Sequence, residues 1–234
     1  MPQLLPLSSC KGRLVSGTVM LSILAVSVYF DGLIHLCQIV RILASFETLI
    51  QFKWYDLCIV LMSTFVPVTY LKPIILTLGL VSIVSVELNF RKVNVIPPWS
   101  LVFIFENMIP ITYAKLVPCL ILSQTIDAFS YFAGTFLTER TACGGTKVFK
   151  RLSCNKTIEG YISGIASAII VAWMMNMCST SVFMICVGSI YGDLFFSSIK
   201  RLTNKEDFSN VVPYHGGLHD RIDSTLGALA IVTV

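Results

Sequence analysis

The chain has 234 residues, 55 % of them hydrophobic and only 13 % charged, where a soluble domain carries about 25 % charged residues. So little charge cannot cover a soluble sphere of this size, which excludes an ordinary cytosolic enzyme, a disordered chain and a nucleic-acid binder. The net charge of +4 fits loops facing an anionic leaflet, and the chain reads as an all-α, polytopic integral membrane protein.

A membrane helix needs about 20 apolar residues, and most of the apolar runs fall slightly short. The first covers residues 14–30 and follows Lys11 and Arg13. It reads as a retained first span with a cytoplasmic N-terminus rather than a cleaved signal. A poorer run at 33–50 is interrupted by Arg41 and Glu47, read with His35 as structural or snorkelling residues. Runs at 57–71 and 74–86 are parted by Lys72-Pro73, and runs at 99–113 and 116–137 are parted around Lys115. Runs at 161–178 and 181–196 form a hairpin with almost no loop, and a last run covers 226–234. The pattern predicts about eight transmembrane or half-membrane helices, with N-terminal membrane helices over 1–115 and a second region over 116–234. None of the eight cysteines forms a C-x-x-C pair, so zinc-ribbon and thioredoxin-like readings have no support.

The charges are concentrated. Nine of the 17 Lys and Arg lie in two short stretches, 138–157 and 197–223. Two helices separate the stretches, which puts both on one membrane face, and their positive excess makes that face cytoplasmic. Acids accompany them. Asp127 sits inside an apolar run, Asp193 near the end of another, and Asp220 and Asp223 flank Arg221. A carboxylate at membrane depth is costly and usually faces a polar cavity; the bland alternative is an ion pair such as Asp193 with Lys200. Asp127 and Tyr131 share a helix face, as do Asp220 and Asp223.

Carboxylates, Lys and Arg, and glycine turns together describe a magnesium–phosphate site. Mg²⁺ takes one or two carboxylates and leaves other positions for phosphate oxygens and water. Gly216-Gly217 lets backbone approach a phosphate closely, Pro213 fixes the preceding turn, and a helix starting near Asp220 offers free N–H groups to an anion.

The residues then become specific. His215-Gly216-Gly217-Leu218-His219-Asp220-Arg221-Ile222-Asp223 resembles the end of the phosphatidate cytidylyltransferase (CDP-diacylglycerol synthase) signature. The spacing holds back through Pro213 and Glu206-Asp207 to Ser197-Ser198-Ile199-Lys200-Arg201. Gly192-Asp193-Leu194 matches the family's G-D-L element, and residues 152–160 resemble S-P-x-K-T-x-E-G through Ser153, Lys156, Thr157 and Glu159. Asp127, Tyr131 and Gly134 fit the helix that precedes it. Departures are Cys154 for proline, Ser163 for glycine, Phe196 for an acid and Glu206 for lysine.

The resemblance implies that the phosphate of phosphatidic acid attacks the α-phosphorus of CTP, giving CDP-diacylglycerol and pyrophosphate with Mg²⁺. It makes Asp193 and Asp220 metal ligands, with Asp223 and Asp127 candidates for a second cation or for orienting a Lys or Arg. Asp193, Asp220, Lys200, Arg201 and Arg221 are the expected catalytic set. Lys156, Thr157, Ser153, Glu159, Ser197, Asp207, His215, Gly216, Gly217, Asp127 and Tyr131 are expected to bind substrate. For single residues the plainer readings are a helix cap for Thr157, a local pair with Lys156 for Glu159, packing or an interfacial anchor for Tyr131 and a solvent-facing or interface position for His219. The implied partners are CTP, phosphatidic acid and the bilayer, with no nucleic acid; a homodimer is left open. The implied home is a bacterial inner membrane with the site facing the cytoplasm. A cytidylyltransferase for another lipid phosphate and a non-catalytic, transporter-like relative are the alternatives.

Overall fold

The computed structural model describes residues 33–88, 98–109, 112–140, 146–147, 149–153, 156–205, 207–209 and 216–232. The expected first span and Cys154, Glu206 and His215 lie outside the described residues. Among them the chain forms eight helices and no strand: α1 Leu33–Leu49, α2 Trp54–Ser63, α3 Val68–Glu87, α4 Pro98–Asn107, α5 Tyr113–Arg140, α6 Ile158–Met174, α7 Ser179–Leu202 and α8 His219–Val232. Three are long and apolar enough to cross a membrane: α3, α5 over Ala114–Gly134, and α7. The protein is an all-α membrane protein.

Helix boundaries correct the sequence reading in three places. The break expected at Lys72-Pro73 lies earlier, between α2 and α3. Pro67 adopts an extended conformation as the N-cap of α3, and a proline also pushes the residue before it out of helical space. Pro73 is carried inside α3, as membrane helices allow when neighbours re-satisfy the freed backbone. The run at 99–113 is not one span: α4 has ten residues, about 15 Å of helix. The next helix starts at Tyr113 and runs without a break past Lys115 and Pro118. Finally, α7 continues beyond residue 196 through Lys200 and Arg201 in its last turn, so the start of the second basic stretch is helical. Cations are favoured there by the helix dipole.

The hairpin of α6 and α7 turns at Asn176, and α7 ends at Asn204, both with positive φ (54° and 55°). Asn tolerates this left-handed cap, and the amides of Met177 and Lys205 reach back to the carbonyls of Ala172 and Lys200. The turn at 176 leaves the start of α6 and the end of α7 at the same end of the hairpin, as the charge pattern predicts.

Helix α7 is the centre of the bundle. It packs most extensively on α8 and also meets α3, α4, α5 and α6. Phe195, Phe196 and Ile199 are fully buried along it. Hydroxyl pairs join the helices, Ser82 with Ser198 and Ser123 with Thr225, each at 2.8 Å. On the outer faces of α2, α3 and α6, Trp54, Tyr70 and Trp173 are exposed, as is Phe65 in the turn between α2 and α3, the apolar surface a bilayer would cover. Phe196, where the family has an acid, packs edge-on against Phe105 and Phe208. An apolar ring is what that position requires.

Candidate active site

Four elements meet at one end of the bundle around a polar cavity of about 420 Å³. Helix α5 supplies Asp127 and Tyr131, and the segment before α6 supplies Ser153 and Lys156. Helix α7 contributes Asp193, Ser197, Lys200 and Arg201; α8 contributes Asp220, Arg221 and Asp223. Eleven residues singled out from the sequence therefore share one cavity, although they are spread over nearly a hundred positions.

Inside it the charges pair across helices. The Lys156 ammonium lies 2.7 Å from Asp193 and 3.5 Å from Asp127, and the Ser224 hydroxyl donates to Asp127 at 2.6 Å. Lys200 pairs with Asp220 at 2.8 Å. The local pairs weighed from sequence are thus corrected: Asp193 holds Lys156 rather than Lys200, and Glu159 turns away from Lys156 to accept the Thr146 amide at 3.1 Å. Burial disfavours the Lys156 charge, but Asp193 and then Asp127 outweigh it and lift its pKa above the ordinary lysine range. Burial, then the nearby Asp193 and Asp127 charges, push the Asp223 carboxyl above the ordinary carboxylate range.

Thr157 is the N-cap of α6, with its hydroxyl accepting the Gly160 amide at 3.1 Å. It is buried and starts the helix that follows Lys156. Tyr131 is 72 % exposed and lines the cavity one helical turn beyond Asp127. Asp207 is exposed, beside Gly216.

The glycine pair is shaped by carboxylates. Gly216 has φ +81°, and a Cβ there would stand 3.2 Å from Asp220 Oδ2. Gly217 is wedged between Asp220 and Glu47 and donates its N–H to Asp220 at 2.9 Å. The same Asp220 oxygen accepts the Phe208 amide at 3.0 Å.

His219 departs most from the sequence reading. It is fully buried, not solvent-facing. Its Nδ1 lies 2.9 Å from Glu47 and its Nε2 bonds Glu106, and its ring stacks on Phe208. Burial alone would lower its pKa, but hydrogen bonds and charge from Glu106 and Glu47 raise it from 6.5 to about 9. A raised folded-state pKa contributes stability that is fully present below about 6.5 and lost as pH rises through about 9. Thermal midpoints of the purified protein between pH 6 and 10 should therefore fall toward the alkaline end. His219→Gln should flatten that slope; an unchanged slope would remove His219 as its cause.

The sequence model described as the cytidylyltransferase family matches residues 5–234. The chain belongs to the cytidylyltransferase family. Among curated relatives named phosphatidate cytidylyltransferase, that of Rickettsia bellii is 27 % identical over 92 % of this chain and 85 % of its own length. That of Bacillus subtilis is 32 % identical over 46 % of this chain and 41 % of its own length. The one from Aquifex aeolicus is 34 % identical over 42 % and 38 %. The chain thus spans about two fifths of the length of the latter two relatives. No solved structure matches it.

Sequence reasoning did not single out Glu106, and it read Glu47 as structural or snorkelling; both bond His219 beside the site. The signal was present: both are acids in apolar runs, the feature that picked out Asp127 and Asp193.

Proposed function

We propose that this cytidylyltransferase transfers the cytidylyl group of CTP to phosphatidic acid, releasing pyrophosphate and forming CDP-diacylglycerol. The observation that carries this is a polar cavity at the end of apolar helices, walled by Lys156, Lys200, Arg201 and Arg221 with four carboxylates between them. The names of the relatives point to the same reaction. A lipid headgroup at the bilayer edge and a triphosphate from water would meet there. The attacking phosphate is already an anion, so the protein needs no strong base. The basic side chains would hold both substrates in line and neutralise the charge that shifts toward the departing pyrophosphate.

The donor set fits a magnesium ion. Among the described residues no three His, Cys, Asp or Glu side chains converge on one point, so Asp193, Asp220 and Asp223 do not form a closed cage. Mg²⁺ is usually held by one or two carboxylates plus phosphate oxygens, and Asp193 and Asp220 supply hard oxygens of that kind. Asp223 lines the same cavity as Asp127, Asp193 and Asp220, so a cation there would meet several carboxylate oxygens. Bound there, Mg²⁺ would supply Lewis-acid stabilisation of phosphate oxygens. Lys156 and Lys200 already hold these carboxylates in place across the helices. The positive stretches favour a cytoplasmic face, here of a bacterial inner membrane.

Membranes containing the protein should convert labelled CTP and phosphatidic acid to CDP-diacylglycerol, and chelation of divalent ions should stop the reaction. Turnover with a different lipid phosphate alone would move the assignment to that substrate; no turnover with any lipid phosphate would overturn it.

A further inference from the structure

Beyond the cavity, α8 begins in a clasp built from the other half of the chain. Glu47 reaches from α1 and accepts the backbone N–H groups of Leu218 at 3.1 Å and His219 at 3.4 Å, as well as bonding His219 Nδ1. Glu106 reaches from α4 to the other ring nitrogen and is itself held by the Ser45 hydroxyl at 3.2 Å. All three of Glu47, Glu106 and His219 are buried. Burying charge is costly unless it is paired, and removing one partner of a buried pair is strongly destabilising. A hydrophobic contact would have held three helices together at less cost, so the clasp needs a reason that packing does not give.

That reason lies one residue further on. The amides that Glu47 fixes are those immediately before Asp220. Gly217 lies between the two carboxylates: a Cβ there would run into Glu47 and stand 3.1 Å from Asp220. Glu47 thus grips one side of the turn and Asp220 the other. We infer that Glu47 is a positioning residue for cytidylyl transfer: with Glu106, through His219, it sets where the Gly217–Asp220 turn stands and so aims the Asp220 carboxylate into the cavity. Glu47 lies outside that cavity and touches no substrate there; it acts through the turn.

The inference rests on the proposed reaction, and its test separates the two. The full chain carrying Glu47→Gln is purified in detergent and assayed with CTP and phosphatidic acid. In parallel, backbone amide exchange is followed across α7 and residues 216–221. Glutamine keeps the size of the side chain and one acceptor oxygen. The expected result is a kcat about 10–100-fold lower, the scale seen when a ligand's supporting partner is lost. The KM for CTP should stay within about threefold, and exchange should quicken at Leu218 and His219 but not along α7. A parent-like kcat overturns the inference. So does a loss of folded protein in which the remaining fraction turns over at the parent rate, since that is a merely structural role. If Glu47→Gln does not fold, His219→Gln, which keeps one donor for two carboxylates, should show the same kcat loss, and a parent-like kcat there overturns the inference equally. A parent protein without cytidylyl transfer overturns the functional reading instead. Exchange at Leu218 and His219 then decides alone whether Glu47 fixes the turn.

Discussion

Asp220→Asn should abolish measurable cytidylyl transfer, a loss on the order of 10²–10³-fold or more, while leaving the protein in the membrane. The geometry explains the size of the effect. One carboxylate oxygen receives the Lys200 ammonium, and the other receives the amides of Phe208 and Gly217. Every one of these partners is a donor. An asparagine presents one acceptor oxygen and one NH₂ group, so whichever way the amide turns, a donor faces a donor. Turned toward Lys200, the NH₂ expels the ammonium; turned toward the loop, it frees the Gly216–Gly217 turn. Either loss is a hydrogen bond to a charged group, worth about 1.5–3 kcal/mol, and one carboxylate for Mg²⁺ goes with it. Asp193→Asn should be comparably severe, because Lys156 then keeps only the 3.5 Å contact to Asp127. Initial rates with labelled CTP, normalised to monodisperse protein in detergent, decide the matter. Parent-level turnover in either variant would remove that carboxylate from the mechanism.

Much of this site was legible because its parts are local in sequence. Lys200 and Arg201 follow Ser197 at helical spacing, Asp220 and Asp223 flank Arg221, and the apolar runs announce the bilayer. Even the convergence of the two basic stretches followed from a short turn between two spans, which Asn176 now makes. What stayed hidden depends on tertiary approach. Nothing near His219 in sequence says that Glu47 and Glu106 close over it, since those acids lie 172 and 113 positions away. An imidazole beside an aspartate and an arginine reads as surface when its neighbours are polar. It becomes a core residue only because Phe196 and Phe208 cover its ring. The boundary errors share a physical cause. Polar or proline residues inside an apolar run read as breaks, yet Pro73 is carried inside a packed helix, and Lys115 reaches the Val232 carbonyl at 3.2 Å.

Gly227→Ala should lower both stability and activity, and Gly227→Leu should prevent recovery of folded protein. The pairing of α7 and α8 brings backbone against backbone: a Cβ on Gly227 would run into the Gly188 carbonyl and the Gly192 backbone. In the opposite direction, a Cβ on Gly188 would stand 2.7 Å from Ala228 Cα. Small residues permit this close approach between membrane helices. Overpacking that side chains can absorb costs about 1–3 kcal/mol. Here the obstacle is main chain, which yields only if the helices separate, so the alanine should sit at or above the top of that range. For a chain of this length that is a fall of about 6–12 °C or more in thermal midpoint. Activity should fall with it, because α7 carries Asp193 and Lys200 while α8 carries Asp220 and Asp223, and the helix spacing sets how these groups face each other. Gly134→Ala is the control: its Cβ would meet only the Thr157 hydroxyl oxygen at 3.6 Å, an ordinary contact, and alanine is the better helix former. That variant should be as stable as the parent or slightly more so. If Gly227→Ala matches it in midpoint and in turnover, the α7–α8 spacing does not set the geometry of the site.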